Sequence, residues 1–126
     1  RWGRDNRTCA LRLVGHGAGL RLENRVPGGD VNPYLAVSGI IAAGLDGIKK
    51  KMVLEPAFKG NAYDSDSARV PATMSEALTL WEESAWVKEV FGAEVQSHYA
   101  NMARVEIAAY SKAVTDWELF RNFERF

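Results

Sequence analysis

Arg21, Glu23 and Arg25 stand at every second position of the segment running from Leu20 to Arg25. In a β-strand that spacing puts all three on one face and Leu20 and Leu22 on the other. A guanidinium is a planar fork that grips a carboxylate or phosphate through two hydrogen bonds, and a carboxylate is a hard oxygen ligand for a divalent cation. Together the three side chains could hold an anionic substrate beside magnesium. The same alternation also describes a solvated salt ladder, a common surface feature worth little to stability. Two more arginines lie just upstream. Parity along residues 8–14 groups Arg12 with Ala10 and Val14 and puts Arg7 on the opposite side, unless Arg7 precedes the regular strand.

Other chemistry-bearing residues offer less. His16 sits among glycines and His98 next to Tyr99, neither with a partner at ligand spacing, so both read as surface or core histidines. Gly28 and Gly29 lack the pattern of a phosphate-binding loop and read as a turn. Cys9 is the single cysteine and lies in an apolar run, which suits a buried, inert thiol.

The elements that must position these groups are legible from composition. Residues 8–14 are short and mostly apolar and end in Gly-His-Gly, a strand followed by a turn. Residues 20–25 form the next strand, so the two predict an antiparallel hairpin. Two strands are marginal alone and need a larger sheet to rest on, whose other strands are expected upstream of Arg1. Asn32 as N-cap and Pro33 in the first turn open a helix to about residue 50 that is apolar almost all round, the pattern of a helix buried on most sides. Lys49, Lys50 and Lys51 suit the negative end of its dipole.

Residues 52–72 hold two prolines, a glycine and an Asp-Ser-Asp-Ser stretch without sustained periodicity, and loops of this length tend to be functional or mobile. Thr73 and Glu76 fit a capping box opening a helix to about residue 90. A second helical pattern spans 93–112, and Thr115 caps a short terminal helix with Trp117, Phe120, Phe123 and Phe126 at intervals of three. The fold class is therefore α+β: a short antiparallel hairpin from a larger sheet, then a mainly helical C-terminal region.

The chain has 126 residues, enough for one hydrophobic core, with 16 basic and 16 acidic residues. Zero net charge gives no field to gather a polyanion, which argues against nucleic acid as a partner. The longest apolar run, residues 34–45, is too short and too interrupted by glycine to span a bilayer, so no membrane partner is expected. The lone thiol fits a reducing cytoplasm. The sequence opens on Arg1 without an initiator methionine, which suggests a piece of a longer polypeptide.

The order of motifs carries a further reading. Asn6-Arg7 with Leu11-Arg12, then RLENR at 21–25, PGGDVNPYL at 27–35, AGLDGI at 43–48 and GNAY at 60–63 together resemble the C-terminal catalytic segment of the glutamine synthetase family. The family includes bacterial-type glutamine synthetases and the relatives that join glutamate to polyamines or other amines.

The resemblance implies that residues 1–126 are the C-terminal part of the catalytic domain, lacking the N-terminal domain and the first part of the catalytic domain, and inactive alone. It implies an ATP-dependent glutamate–ammonia or glutamate–amine ligase working through a γ-glutamyl phosphate, with Mg2+ or Mn2+ as cofactor. Its partners would be glutamate, ATP and ammonia or an amine, and the full-length protein would be a ring-forming homo-oligomer. By matching position, Glu23 would ligate a metal and Arg25 would hold the glutamate substrate. Arg7 would contact the transferring phosphate as a catalytic group, and Arg12 would be a further nucleotide-phosphate ligand. Tyr63 matches a position adenylylated in some relatives, although a structural tyrosine fits this shorter segment better. The alternative is a noncatalytic structural or interaction module that keeps the fold.

Overall fold

The computed structural model describes residues 1–125; Phe126, the last of the predicted aromatic series, lies outside them. The chain divides into two compact units, Arg1–Val70 and Pro71–Phe126, and its mixed composition of strands and helices is the α+β class expected.

The first unit holds a three-stranded sheet, β1 (Trp2–Arg4), β2 (Leu11–Val14) and β3 (Arg21–Asn24), in the order β1-β2-β3. β2 and β3 form the predicted antiparallel hairpin, in which Arg12 lies opposite Glu23 and Val14 opposite Arg21. β1 was not expected: it runs parallel to β2, with Trp2 beside Leu11, so one of the strands sought upstream is inside the chain. The link between these parallel strands is short, and it closes through Asp5 in the left-handed region (φ 49°), whose N–H bonds the Leu13 carbonyl at 2.9 Å. Gly3 is buried in β1, where an added Cβ would press on Asn6 Cβ at 2.8 Å and Cys9 Sγ at 3.0 Å.

α1 (Pro33–Lys49) starts as the sequence predicts, with the Asn32 side chain accepting from the N–H groups of Tyr34 and Leu35. It ends where Lys51 turns left-handed (φ 50°) and the Met52 N–H returns to the Gly47 carbonyl, a Schellman closure made without the usual glycine. The expectation of burial on most sides fails: α1 contains no buried residue, and Tyr34 and Ile48 are 84% and 75% exposed. No strand or other helix of its unit packs extensively along α1 among the described residues, so nothing there covers its apolar faces.

The aperiodic loop after α1 is tied to the chain's start. Phe58 N–H donates to the Trp2 carbonyl (2.9 Å), Trp2 Nε1 donates to the Glu55 carbonyl (2.8 Å) and Asn6 Nδ2 donates to the Gly60 carbonyl (2.9 Å). The Ala62 N–H then donates to Thr8 Oγ1 at 2.9 Å.

In the second unit the helix predicted over 74–90 is two helices, α2 (Met74–Glu83) and α3 (Ala85–Phe91). Ser84 leaves helical geometry and caps α3 by accepting the Val87 N–H at 3.1 Å. The carbonyls freed at this break are taken up by one side chain of α4 (Ala93–Tyr110): Gln96 Nε2 is shared among the Trp81, Glu82 and Ser84 carbonyls at 2.7–3.1 Å. Trp81 Nε1 donates to the Gln96 carbonyl in return, and the Trp81 ring packs against Phe91 and Tyr99 with centroids 5.9 and 6.1 Å away. Val87 and Ala100 are buried here. At α2, Thr73 accepts the Glu76 N–H as predicted, but the Glu76 carboxylate reaches Ala72 N–H. α5 (Asp116–Asn122) carries a full capping box between Thr115 and Glu118, and its Trp117 and Phe120, with Phe123 at its C-cap, are exposed.

The β2–β3 turn depends on Gly15, whose φ is +91° and whose added Cβ would sit 2.1 Å from the Gly19 carbonyl oxygen. Gly17 (φ +53°) has nothing within 4 Å. Gly17→Ala is expected to cost about 1–2 kcal/mol, the ordinary left-handed penalty. Gly15→Ala should cost more than that, on the order of 3 kcal/mol, since backbone atoms cannot swing aside. Urea denaturation compares them, and equal midpoints would contradict this turn geometry.

Candidate functional site

Cross-strand pairing decides which charges meet. Because Arg12 lies opposite Glu23, both project on one face, and Arg12 Nη1 donates to Glu23 Oε2 at 2.8 Å. The other terminal nitrogen of Arg12 pairs with Asp5, and Arg21 Nη2 donates to Glu23 Oε1 at 3.0 Å. Arg12 is buried (7% exposed) and its Nε has no hydrogen-bond partner among the described residues. The hydrogen bond from Arg12, followed by its charge, holds the Asp5 carboxyl below the usual carboxylate range. Glu23 is lowered likewise, first by the Arg12 hydrogen bond and to a smaller extent by Arg21. Both carboxylates in turn raise Arg12, Asp5 foremost.

Arg25 leaves this group. It follows the last residue of β3, its N–H bonds the Ala10 carbonyl at 2.8 Å, and its Nε donates to the Arg7 carbonyl at 3.0 Å. Alternation makes Glu23 and Arg25 neighbours, and the family resemblance groups Arg7 with Arg12 as phosphate ligands. The structure exchanges the partners: Glu23 sits with Arg12, and Arg25 with Arg7.

Arg7 and Arg25 open onto a cavity of about 250 Å³, also lined by Thr8, Tyr63, Ser67 and Arg69. No Asp or Glu lines it, and Arg1 at its edge is already paired with Glu55. Arg7, Arg25 and Arg69 have no carboxylate partner among the described residues. Three guanidiniums without a salt bridge around one hollow could hold an oxyanion, although the Arg7 charge is also felt by the Asp5 carboxylate.

Among the described residues, Glu23 is the carboxylate that the family resemblance assigns to a divalent metal, and its geometry leaves room for one. Glu23 accepts one guanidinium N–H at each oxygen and keeps further lone pairs, and Arg21 is exposed enough to turn away. No group of three or more His, Cys, Asp or Glu able to hold a metal occurs among the described residues.

The model for the catalytic domain of glutamine synthetase matches residues 1–122. The chain belongs to the glutamine synthetase family. It is 63% identical over 98% of its length to the gamma-glutamylethanolamide synthetase of Streptomyces coelicolor, of which it covers 27%. It is 39% identical over 98% of its length to a glutamate–isopropylamine ligase of Pseudomonas, covering 28% of that protein. A solved structure of apo GmaS without ligand superposes on 98% of the chain with a TM-score of 0.82 at 30% identity, the chain covering 29% of it. The chain thus spans between a quarter and a third of the length of the relatives it matches.

Within this family frame, Tyr63 lies exposed in a single turn of 3-10 helix (Ala62–Asp64) at the cavity. Cys9 is buried and free, as expected. His16 is exposed in the β2–β3 turn, and the His98 ring stands edge-on to Tyr99 at 5.5 Å. Asp5 and Arg69 were missed from sequence: Asp5 lies in a tight link with no periodicity, and Arg69 in a loop with none.

Because Asp5 and Glu23 are lowered in the folded state, the stability they contribute is complete above the ordinary carboxylate range and is lost as pH falls through their lowered values. Acidification from about pH 6 to about pH 3 should therefore lower the urea midpoint of the wild type more than that of Arg12→Met, in which both carboxylates return toward ordinary values. Identical acid sensitivity would show that Arg12 does not hold them.

Proposed function

We propose that the protein carrying this segment is a cytoplasmic, ATP-dependent ligase that joins glutamate to a small primary amine, with ethanolamine the leading nucleophile and ammonia the alternative. Residues 1–126 supply the C-terminal part of its catalytic domain and are inactive alone. The observation that carries the reading is the meeting of Arg7 and Arg25 at one acid-free cavity, since the two residues assigned by resemblance to phosphate and to glutamate are those a glutamyl phosphate needs together. The 63% identity to a protein named gamma-glutamylethanolamide synthetase supports the amine.

In the first step an oxygen of the glutamate γ-carboxylate bonds to the terminal phosphorus of ATP, and the bond to the ADP oxygen breaks. In the second, the amine nitrogen bonds to the γ-carboxyl carbon (Cδ), phosphate leaves with its C–O bond broken, and the ammonium proton passes to solvent or base. Arg25 grips the glutamate carboxylate, its orientation fixed by the Arg7 carbonyl, while the Arg7 guanidinium neutralises charge that builds on the phosphoryl oxygens. Glu23, held by Arg12, would be one ligand of a divalent cation, Mg2+ or Mn2+, which when bound would shield phosphate charge. Arg12 spends one N–H on Glu23 and one on Asp5, so it can position Glu23 and still offer further donors to a nucleotide phosphate. A ring-forming homo-oligomer is the expected assembly.

The full-length protein should release phosphate from ATP when glutamate and ethanolamine are both present, more slowly with ammonia or putrescine, and not after chelation of divalent metal. Arg7→Gln should lower kcat by about 10²-fold, and Arg25→Gln should raise the KM for glutamate more than that for ATP. No phosphate release with any amine or ammonia would refute the proposal, as would a ligase rate from residues 1–126 alone for their inactivity.

A further inference from the structure

Arg69 has no place in the family motifs found in the sequence, yet it lines the same cavity as Arg7 and Arg25. Its position follows from how the loop is fastened. Asn6 Nδ2 holds the Gly60 carbonyl, Thr8 Oγ1 accepts the Ala62 N–H, and Asn61 caps the short turn at Tyr63 through that residue's N–H (3.1 Å). Ser65 Oγ then bonds the Ala62 carbonyl and Ser67 Oγ, both at 2.7 Å. The chain is thereby brought back so that Arg69 Nη2 donates to the Tyr63 carbonyl at 2.6 Å.

This is the arrangement seen at Arg25, where one guanidinium N–H is spent on a backbone carbonyl (Arg7) and the remaining donors are left over. A guanidinium has five N–H donors. One carbonyl therefore aims the group without satisfying it, and no carboxylate among the described residues pairs with Arg69. Where arginines of this chain serve structure, they take carboxylates: Arg1 takes Glu55, Arg12 takes Asp5 and Glu23, and Arg104 takes Glu82. Arg69 shares instead the acid-free hollow of Arg7 and Arg25.

We propose that Arg69 is a third anion-binding residue of this site, donating to phosphoryl oxygens of the nucleotide or of the glutamyl phosphate. The inference rests on the ligase reading for the identity of the anion. Its physical content is that one further guanidinium, supplied by the loop, meets a phosphoryl group whose charge exceeds what one arginine neutralises.

The test uses the full-length protein and its Arg69→Gln and Arg69→Lys variants, each checked for wild-type thermal melting. Calorimetric titration with ADP, with tripolyphosphate and with glutamate separates the ligands. Arg69→Gln should weaken ADP and tripolyphosphate binding by about tenfold, the loss expected for one charge-assisted hydrogen bond, and leave glutamate within about twofold. Arg69→Lys should recover part of the loss, since it restores charge without the fork. The KM for ATP should move in parallel with kcat little changed.

Phosphate binding unchanged in Arg69→Gln overturns the proposal, as does a wild type that binds neither phosphate ligand. Equal weakening of glutamate overturns the phosphoryl assignment. Should the wild type bind ADP with no ligase turnover, the ligase reading fails while loss of ADP binding in Arg69→Gln still supports the role of Arg69.

Discussion

The pairing of Arg12 with Glu23 across the hairpin governs much of the first unit. A buried guanidinium is costly unless carboxylates surround it, and Arg12 lies in the middle strand with Glu23 across one ladder and Asp5 reaching from the tight link after β1. The left-handed turn at Asp5 therefore has an electrostatic purpose: it ends β1 and directs a carboxylate back to Arg12. Removing Arg12 would leave two carboxylates crowded on one face, while removing either carboxylate would leave a buried cation under-paired. The orphan Nε is what remains unmet in this arrangement.

From that pairing follows a separation of charge within a few residues. Glu23 is consumed by Arg12 and Arg21, so Arg25, two positions later, meets no acid and turns to the Arg7 carbonyl. The cavity inherits cations without counterions, and the acids stay on the sheet. Had Glu23 reached Arg25 instead, that guanidinium would be neutralised internally. The sheet register thus does two things at once: it orients a candidate metal carboxylate and keeps the neighbouring guanidinium available to an external anion.

What the sequence discloses and what it conceals divide along the range of the interactions involved. The hairpin, the Asn32 cap, the Thr73 cap and the Thr115 cap rest on signals a few residues apart, and all are found in the structure. The motifs that mark the family are likewise contiguous in sequence. Register is different. A one-residue change in pairing would set Arg12 against Leu22 or Asn24 and reverse its face, and the 15–20 turn, with its 3-10 segment, does not announce its count. β1 was invisible because three residues, Trp-Gly-Arg, have no period. The division of the 74–90 helix needed Gln96, a dozen residues beyond Ser84, to receive the freed carbonyls. The failed burial of α1 has the same origin, since an apolar helix states what it would bury against and not what is there.

The loop that supplies Tyr63 and Arg69 shows how an aperiodic segment becomes part of a site. Buried or partly buried backbone groups must be paired whether or not they belong to a helix or sheet, and here the partners are Trp2, Asn6 and Thr8. Asn6 and Thr8 flank Arg7 and Trp2 lies in β1, so the bonds that satisfy the loop's backbone also set its distance from the cavity. Gly3 permits the approach by having no Cβ where Phe58, Asn6 and Cys9 converge. A side chain at that position would push the loop from β1 and carry Arg69 away from Arg7 without altering any charge. The cationic character of the hollow is therefore a product of packing at β1 as much as of the arginines that line it.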